Sequence, residues 1–273
     1  MTVWRRFLRH RMATWAAGCL LLLGLAALLA PWLAPRGPET VDLKAVLKPP
    51  GAAGWLGTDD IGRDVLSRLL HAGRASLLLG LGVAVTSVGL GGLLGALAGA
   101  FRRADAVVSA VVDALLSVPA LALAMVAAAL LQLTPLKLIL VLSLLSWTTV
   151  ARLVRGQVLS LMEWPFVEAA RALGARRGRI LWRHVVPNVL APVFVAGTLL
   201  TANAILIESA LSFLGFGVPP PTATWGGMLH AAQIHFVQAP WLGIFPGLAI
   251  LTAVAGINFL GEGLREALDP RLR

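Results

Sequence analysis

The residue types that do chemistry are few in this sequence, and none is spaced for catalysis. A phosphate-binding P-loop needs a lysine after glycine, so that backbone amides and the ammonium hold the phosphates together. The three lysines, Lys44, Lys48 and Lys137, each follow leucine. Neither an HExxH zinc helix nor a GxSxG nucleophile elbow occurs. His230 and His235 stand five apart, a poor spacing for one helix face, and read better as lone surface histidines than as metal ligands. Asp59, Asp60 and Asp64 lack the spacing of a calcium loop and read as carboxylates at a helix start, with Thr58 or Asp59 as the cap. The single cysteine, Cys19, leaves no disulfide or cysteine metal site within the chain. What remains are Asp113, Asn203 and Glu208, polar residues in or beside apolar runs. Polar groups in a bilayer are costly and mark a transport pathway or a contact between helices. Asp113 and Glu208 also suit the membrane interface, where they would cap or pair.

The elements that carry these residues are membrane spans. The 273 residues are 58% hydrophobic and 13% charged, against about 25% charged in soluble domains, and the mean hydropathy is +0.83. Apolar runs long enough to span a bilayer cover 14–34, 75–100, 107–131, 136–151, 189–207 and 241–260. The first follows Arg5, Arg6, Arg9 and Arg11 and resembles a signal peptide, but its length and the spans behind it favour a retained helix. In the second, Gly91, Gly95 and Gly99 place a smooth stripe on one face, where another helix can approach closely. The net charge of +10 is read as a topogenic signal and not as a nucleic-acid surface. With the amino terminus inside, inside segments carry sixteen Lys and Arg, including Arg271 and Arg273, and outside segments carry seven. The positive-inside rule then gives an all-α polytopic membrane protein with six transmembrane helices and both termini cytoplasmic. The outside segment 208–240 contains no Lys or Arg.

The loop Arg152–Asn188 is the longest basic interruption in the second half, with seven arginines against Glu163 and Glu168. Within it, Pro165 suits a first helical position and Gly174 suits the left-handed residue past a helix end. Between them Phe166, Ala169, Ala170 and Leu173 share one face, flat because its middle is alanine. So short a helix is not stable alone. Spacing leaves two readings open: a helix that fits a groove on another protein, or one lying on the membrane or on its own chain.

The residues EAARALG at 168–174, with Val186 and Pro187 downstream, resemble the EAA signature of bacterial ATP-binding-cassette importer permeases. Glu168, Ala169, Ala170, Gly174 and Pro187 match that pattern, and the valine before the proline departs from it mildly. LGTDDIGRDVLSRLLHAGRASL at 56–77 and ESALSFLGFGVPPPTATWGGML at 208–229 resemble the C-type subunit of the dipeptide, oligopeptide and nickel permeases. The three motifs, in order, cover nearly the whole chain.

The resemblance implies a type I importer permease fold in the bacterial inner (cytoplasmic) membrane. Residues 1–71 would hold the N-terminal tail, first helix and external segment, 72–261 the permease domain, and 262–273 a cytoplasmic tail. It implies a heterodimer with a sister permease, two ATPase subunits carrying ATP and magnesium, and an extracytoplasmic solute-binding protein, with membrane lipid around the spans and no nucleic acid. The chain itself would hold no cofactor or metal and catalyse nothing. Phe166–Leu173 would be the helix coupling it to the ATPases. The cargo would be di- or oligopeptides or nickel chelates. A channel or ion-coupled carrier is the alternative class, although neither internal repeats nor charged mid-span residues stand out; an intramembrane enzyme lacks its catalytic groups.

Overall fold

The computed structural model describes residue 7, residues 10–131 and residues 133–268. Asp64 starts the longest helix: its Oδ2 accepts from the Ser67 backbone N–H and hydroxyl, both at 2.7 Å, in the manner of an N-cap. The helix it starts, α3, runs Val65–Ala100. Before it come α1, Arg11–Leu28, and the short α2, Ala30–Leu33. After it come α4, Arg102–Leu116, α5, Ala120–Leu130, and α6, Pro135–Leu161. Then follow α7, Pro165–Ala172, α8, Arg177–Ile180, and a π-helical turn, Leu181–Val185. It leads into α9, Val186–Phe213, then α10, Trp225–Ala232, and α11, Trp241–Leu268. Among the described residues, five helical segments are long and apolar enough to cross a membrane, and α4 with α5 makes a sixth if that bent pair is one span.

Helices dominate for a physical reason: a bilayer offers the backbone no hydrogen-bond partner, so each span must satisfy its own amides. The expected boundaries need four corrections. The run 107–131 is not straight; α4 and α5 meet at 83°, because Pro119 lacks an N–H and its ring disfavours helical geometry in the residue before it. The segment Arg152–Leu161 is not loop but the last three turns of α6, since Val154, Val158 and Leu161 are buried at helical spacing while the arginines take the opposite face. The helix expected from Thr58 or Asp59 begins instead at Val65, because Asp59 closes a turn of its own: its Oδ1 accepts from Ile61 N (3.1 Å) and Arg63 N (2.8 Å). Finally, α9 and α11 continue past 207 and 260, which takes Glu208 into a span.

The bundle has two distinct ends. Residues 36–64 form a folded cap at one end, tied to the start of α11 by Trp241, whose Nε1–H donates to Thr58 O (3.3 Å). Trp225 of α10 is buried at the same end and donates its Nε1–H to Leu69 O (3.1 Å) and its backbone N–H to Ser76 Oγ (3.1 Å). The other end carries α7, the start of α1 and the end of α11: Phe7 and Ala13 share a buried cluster with Ala267. Arg5, Arg6, Arg9, Arg271 and Arg273 lie outside the described residues.

Between the ends, α3 and α6 pack at very close range. A Cβ added at Gly91 would stand 2.5 Å from Trp147 O, one at Gly95 2.5 Å from Ala151 O, and one at Gly99 2.7 Å from Val158 Cβ. Ser87 and Ser143 lie buried in the same seam, each donating its hydroxyl at 3.5 Å to a backbone carbonyl of the opposite helix. Replacing Gly95 by leucine is expected to destabilise the chain by about 1–3 kcal/mol through overpacking. Leucine at Gly92, where an added Cβ meets nothing within 4 Å, should leave stability unchanged. Thermal unfolding of the detergent-solubilised variants reads this, and equal melting temperatures would refute the close-packed seam.

Candidate functional site

The element that stands apart from the bundle is α7. Pro165 occupies its first turn and Trp164 its N-cap position, without a side-chain cap. Its far end is a Schellman motif: Gly174 N–H donates to Arg171 O (2.9 Å) and Ala175 N–H to Ala170 O (3.0 Å). Gly174 has φ +81°, a left-handed geometry that costs a residue with a Cβ.

One side chain of α7 is fully buried, and it is Val167, at 0% exposure. Val167 joins a cluster with Val158, Leu161 and Met162 from the end of α6 and with Ile180, Leu181 and Val185 from the approach to α9. The short helix is thus pinned to both flanking spans by one branched side chain. Arg171 adds a bond from its Nη2 to Met162 O (3.2 Å). The rest faces outward. Leu173 is 89% exposed, and Phe166 and Ala169 are exposed as well. Ala170 is half-buried against the cluster. Trp164 and Phe166 stack edge to face, ring centroids 6.1 Å apart. Among the described residues, the exposed Glu168 carboxylate has no ion-pair partner; its place in the first turn lets it offset the helix dipole. Pro187 sits exposed in the first turn of α9, where a missing N–H is tolerated.

The three polar candidates do not converge. Asp113 pairs with Arg152 at 2.8 Å, linking α4 to α6 at an exposed position. Asn203 is exposed on α9, with no hydrogen bond to the described chain. Glu208 is fully buried near the cap end of α9, where it accepts from Ser212 Oγ at 2.8 Å. It neighbours a cavity of about 310 Å³ between the cap and the proline-rich loop, lined among others by Arg63, Arg68, Ser212 and Thr224. No group of three or more His, Cys, Asp or Glu among the described residues is placed to hold a metal ion.

Sequence reasoning missed three features. Val167 fell outside the i, i+3, i+4, i+7 face, although its β-branched apolar side chain beside Pro165 is the signal of an anchor. Arg155 lies in a stretch whose charge reads as loop, yet both its Nε and Nη2 donate to the Asp105 carboxylate across α6 and α4. In the cap, Arg63 Nε donates to Asp59 (2.7 Å) and Arg63 Nη1 to Glu39 (3.1 Å), and no periodicity connects Glu39 to a site 24 residues away.

The family model described as binding-protein-dependent transport system inner membrane component matches residues 90–273. A second model, described as the N-terminal TM domain of oligopeptide transport permease C, matches residues 1–50. A putative peptide transport system permease protein of Brucella abortus biovar 1 (strain 9-941) is 42% identical over 269 residues, covering 98% of this chain and 91% of that protein. A putative peptide permease protein of Brucella suis biovar 1 is 42% identical, with 97% of this chain and 89% of that protein covered. The di/tripeptide transport system permease protein of Pseudomonas aeruginosa (strain UCBPP-PA14) is 40% identical over 277 residues, covering 99% and 91%.

The geometry of α7 separates an anchor from a free face. Val167→Ala is expected to lower the stability of the solubilised chain by roughly 1–3 kcal/mol, from lost burial and the cavity left behind. Leu173→Ser should change it by less than about 0.5 kcal/mol. Thermal melts of the two variants decide; similar shifts for both would mean that Leu173 is packed against its own chain.

Proposed function

This chain belongs to the family of binding-protein-dependent transport system inner membrane components, multi-pass permeases and not enzymes, and on that premise we propose that it forms one half of the translocation pathway of an ATP-driven peptide importer. The observation that carries this reading is α7, held to its own chain by Val167 alone among its fully buried side chains, with Phe166, Ala169 and Leu173 turned outward. Such a helix is shaped to seat in a groove of another protein. Alanine lets the partner's backbone approach, and the Gly174 turn carries the chain back to α9.

In this reading α7 is the coupling helix, its end of the bundle and both termini face the cytoplasm, and the cap faces outside. The excess of arginine at the α7 end supports that orientation. Two ATPase subunits sit beneath and bind ATP and magnesium. A sister permease completes the pathway, and an extracytoplasmic binding protein delivers the cargo. Closure of the ATPases moves α7, and Val167 passes the movement to α6 and α9 together. The spans then rock between inward-open and outward-open states, driven by the difference in ATP affinity between them.

The remaining residues take roles that fit their surroundings. The glycines 91, 95 and 99 hold α3 and α6 together, with residues 72–261 as the permease core. Asp113 steadies α4 through Arg152. Glu208 fixes the cap end of α9. Asn203, a polar amide exposed in the middle of a span, faces the sister subunit or the pathway, because an unpartnered amide toward lipid is unfavourable. Peptides are the cargo favoured over nickel chelates, since the relatives reported above, matched over nearly their whole length, carry peptide names.

The test has two arms. Extracted from native membranes in mild detergent, the tagged chain should bring a sister permease and ATPase chains, identified by mass spectrometry; a chain that emerges alone, where other complexes survive, defeats the proposal. In cells, Gly174→Val and Ala169→Leu should abolish uptake of a labelled dipeptide while leaving membrane insertion intact. Uptake at the unmodified rate in both variants would show that α7 does not couple.

A further inference from the structure

Four exposed arginines lie together where α3 ends and α9 begins. Arg102 follows directly on Phe101 at the end of α3, and Arg177, Arg179 and Arg183 lie on the approach to α9. The two stretches are adjacent: Ala100, Ile180, Leu181 and Val185 share one buried cluster, and the Arg177 guanidinium lies 6.0 Å from the centre of the Phe101 ring. Among the described residues none of the four arginines has an ion-pair partner. This sets them apart from Arg152 and Arg155, which pair with Asp113 and Asp105. Arg102 also stands in the first turn of α4, where the helix dipole disfavours a cation. Four guanidinium groups without a carboxylate partner, on two adjacent stretches of chain, call for anions from outside the chain.

We propose that this patch binds the phosphate of an anionic phospholipid in the inner leaflet. The proposal rests on the cytoplasmic placement of the α7 end given above. Depth selects lipid over a protein partner. Arg183 stands three residues before the first residue of α9, and Arg102 two residues after the last of α3, so both border the long apolar runs, where basic residues meet lipid headgroups. The approach to α9 is amphipathic in the same sense: Ile180, Leu181 and Val185 are fully buried, while Arg179, Trp182 and Arg183 point out at i, i+3 and i+4. Trp182, 51% exposed between two arginines, has the composition of a membrane-interface anchor. The Gly174 turn separates this patch from α7, leaving the helix free to meet a protein while the arginines stay on the membrane. Guanidinium groups bind phosphate oxygens in bidentate fashion, and basic clusters next to spans attract anionic headgroups. The bound lipid would hold the approach to α9 against the membrane while α7 moves.

The test uses the complete copurified complex in nanodiscs of phosphatidylcholine with phosphatidylglycerol. After gentle delipidation, native mass spectrometry should find phosphatidylglycerol retained on this subunit. In Arg177→Gln/Arg179→Gln/Arg183→Gln retention should fall by a factor on the order of a hundred, given three arginines near an anionic surface. The triple lysine variant, which keeps the charge, should restore much of it. Retention equal in the unmodified and glutamine forms overturns the proposal. So does loss of the ATPase chains from the glutamine variant with lipid retention unchanged, which would assign the arginines to an acidic protein surface. The proposal is independent of coupling in its readout: if the unmodified chain brings no ATPase, the importer reading fails, and lipid retention still decides this one.

Discussion

The backbone contact between α3 and α6 sets the geometry of the rest. Lipid tails are as apolar as leucine, so helices in a membrane are not driven together by hydrophobic burial; close packing and hydrogen bonds must hold them. Gly91, Gly95 and Gly99 remove the side chains that would keep the axes apart, and Val150, Val154 and Val158 fill the space from the other side. These are consecutive turns, so the seam fixes register as well as distance. The consequence reaches both ends. Through its first turn, α3 carries the cap; through its last, α6 carries α7. The cap and α7 are therefore joined by a rigid pair of helices running the length of the bundle.

The two ends are built differently. At the cap, polar bonds tie separate pieces of chain together. Trp225 and Trp241 reach backbone carbonyls of Leu69 and Thr58, Ser67 accepts from Arg36 N (3.2 Å), and Arg63 bridges Asp59 and Glu39. Each bond is directional and holds one geometry. At the other end Val167 meets α6 and the π turn through apolar contact, which tolerates sliding. The π turn itself interrupts the regular ladder, and Pro187 removes a donor just beyond it; Asn188 Nδ2 steps in by donating to His184 O (2.6 Å). Interruptions of this kind recur at functional positions in helices.

Much of this was legible in the sequence, because a membrane imposes simple rules. The all-helical build, with five or six spans, and the bounds of α7 followed from run length, proline and glycine. Pro165 and Gly174 mark the start and stop of α7 within a residue, since each acts through its own backbone. Charge was the less reliable guide. Arg152 and Arg155 read as loop because arginine is expensive in lipid, but each finds an aspartate on α4, and a paired arginine at a helix end stays helical. The bend before Pro119 was hidden because α4 and α5 are both apolar enough to count as one run. The face of α7 was read by its largest side chains, and Val167, one position away from that face, turned out to be the anchor. Pairings such as Arg63 with Glu39 have no local signature at all.

The exposed face of α7 is tied to its length. Eight residues make about two turns, too few to hold a helix without outside contacts. The capping glycine and Val167 supply part of what is missing, yet Leu173 at 89% and Phe166 at 36% stay exposed. A helix meant only to link two spans would gain by turning Phe166 and Leu173 inward, at the place of Val167. Instead the smallest branched side chain does the anchoring and the large ones face out, beside an uncapped amino end and an unpaired Glu168. That distribution costs the isolated chain stability, and it is this cost that supports the proposal of a second surface covering α7. The same reasoning applies to the arginines beside it: charges without partners in one chain are what remain when the partner is another molecule.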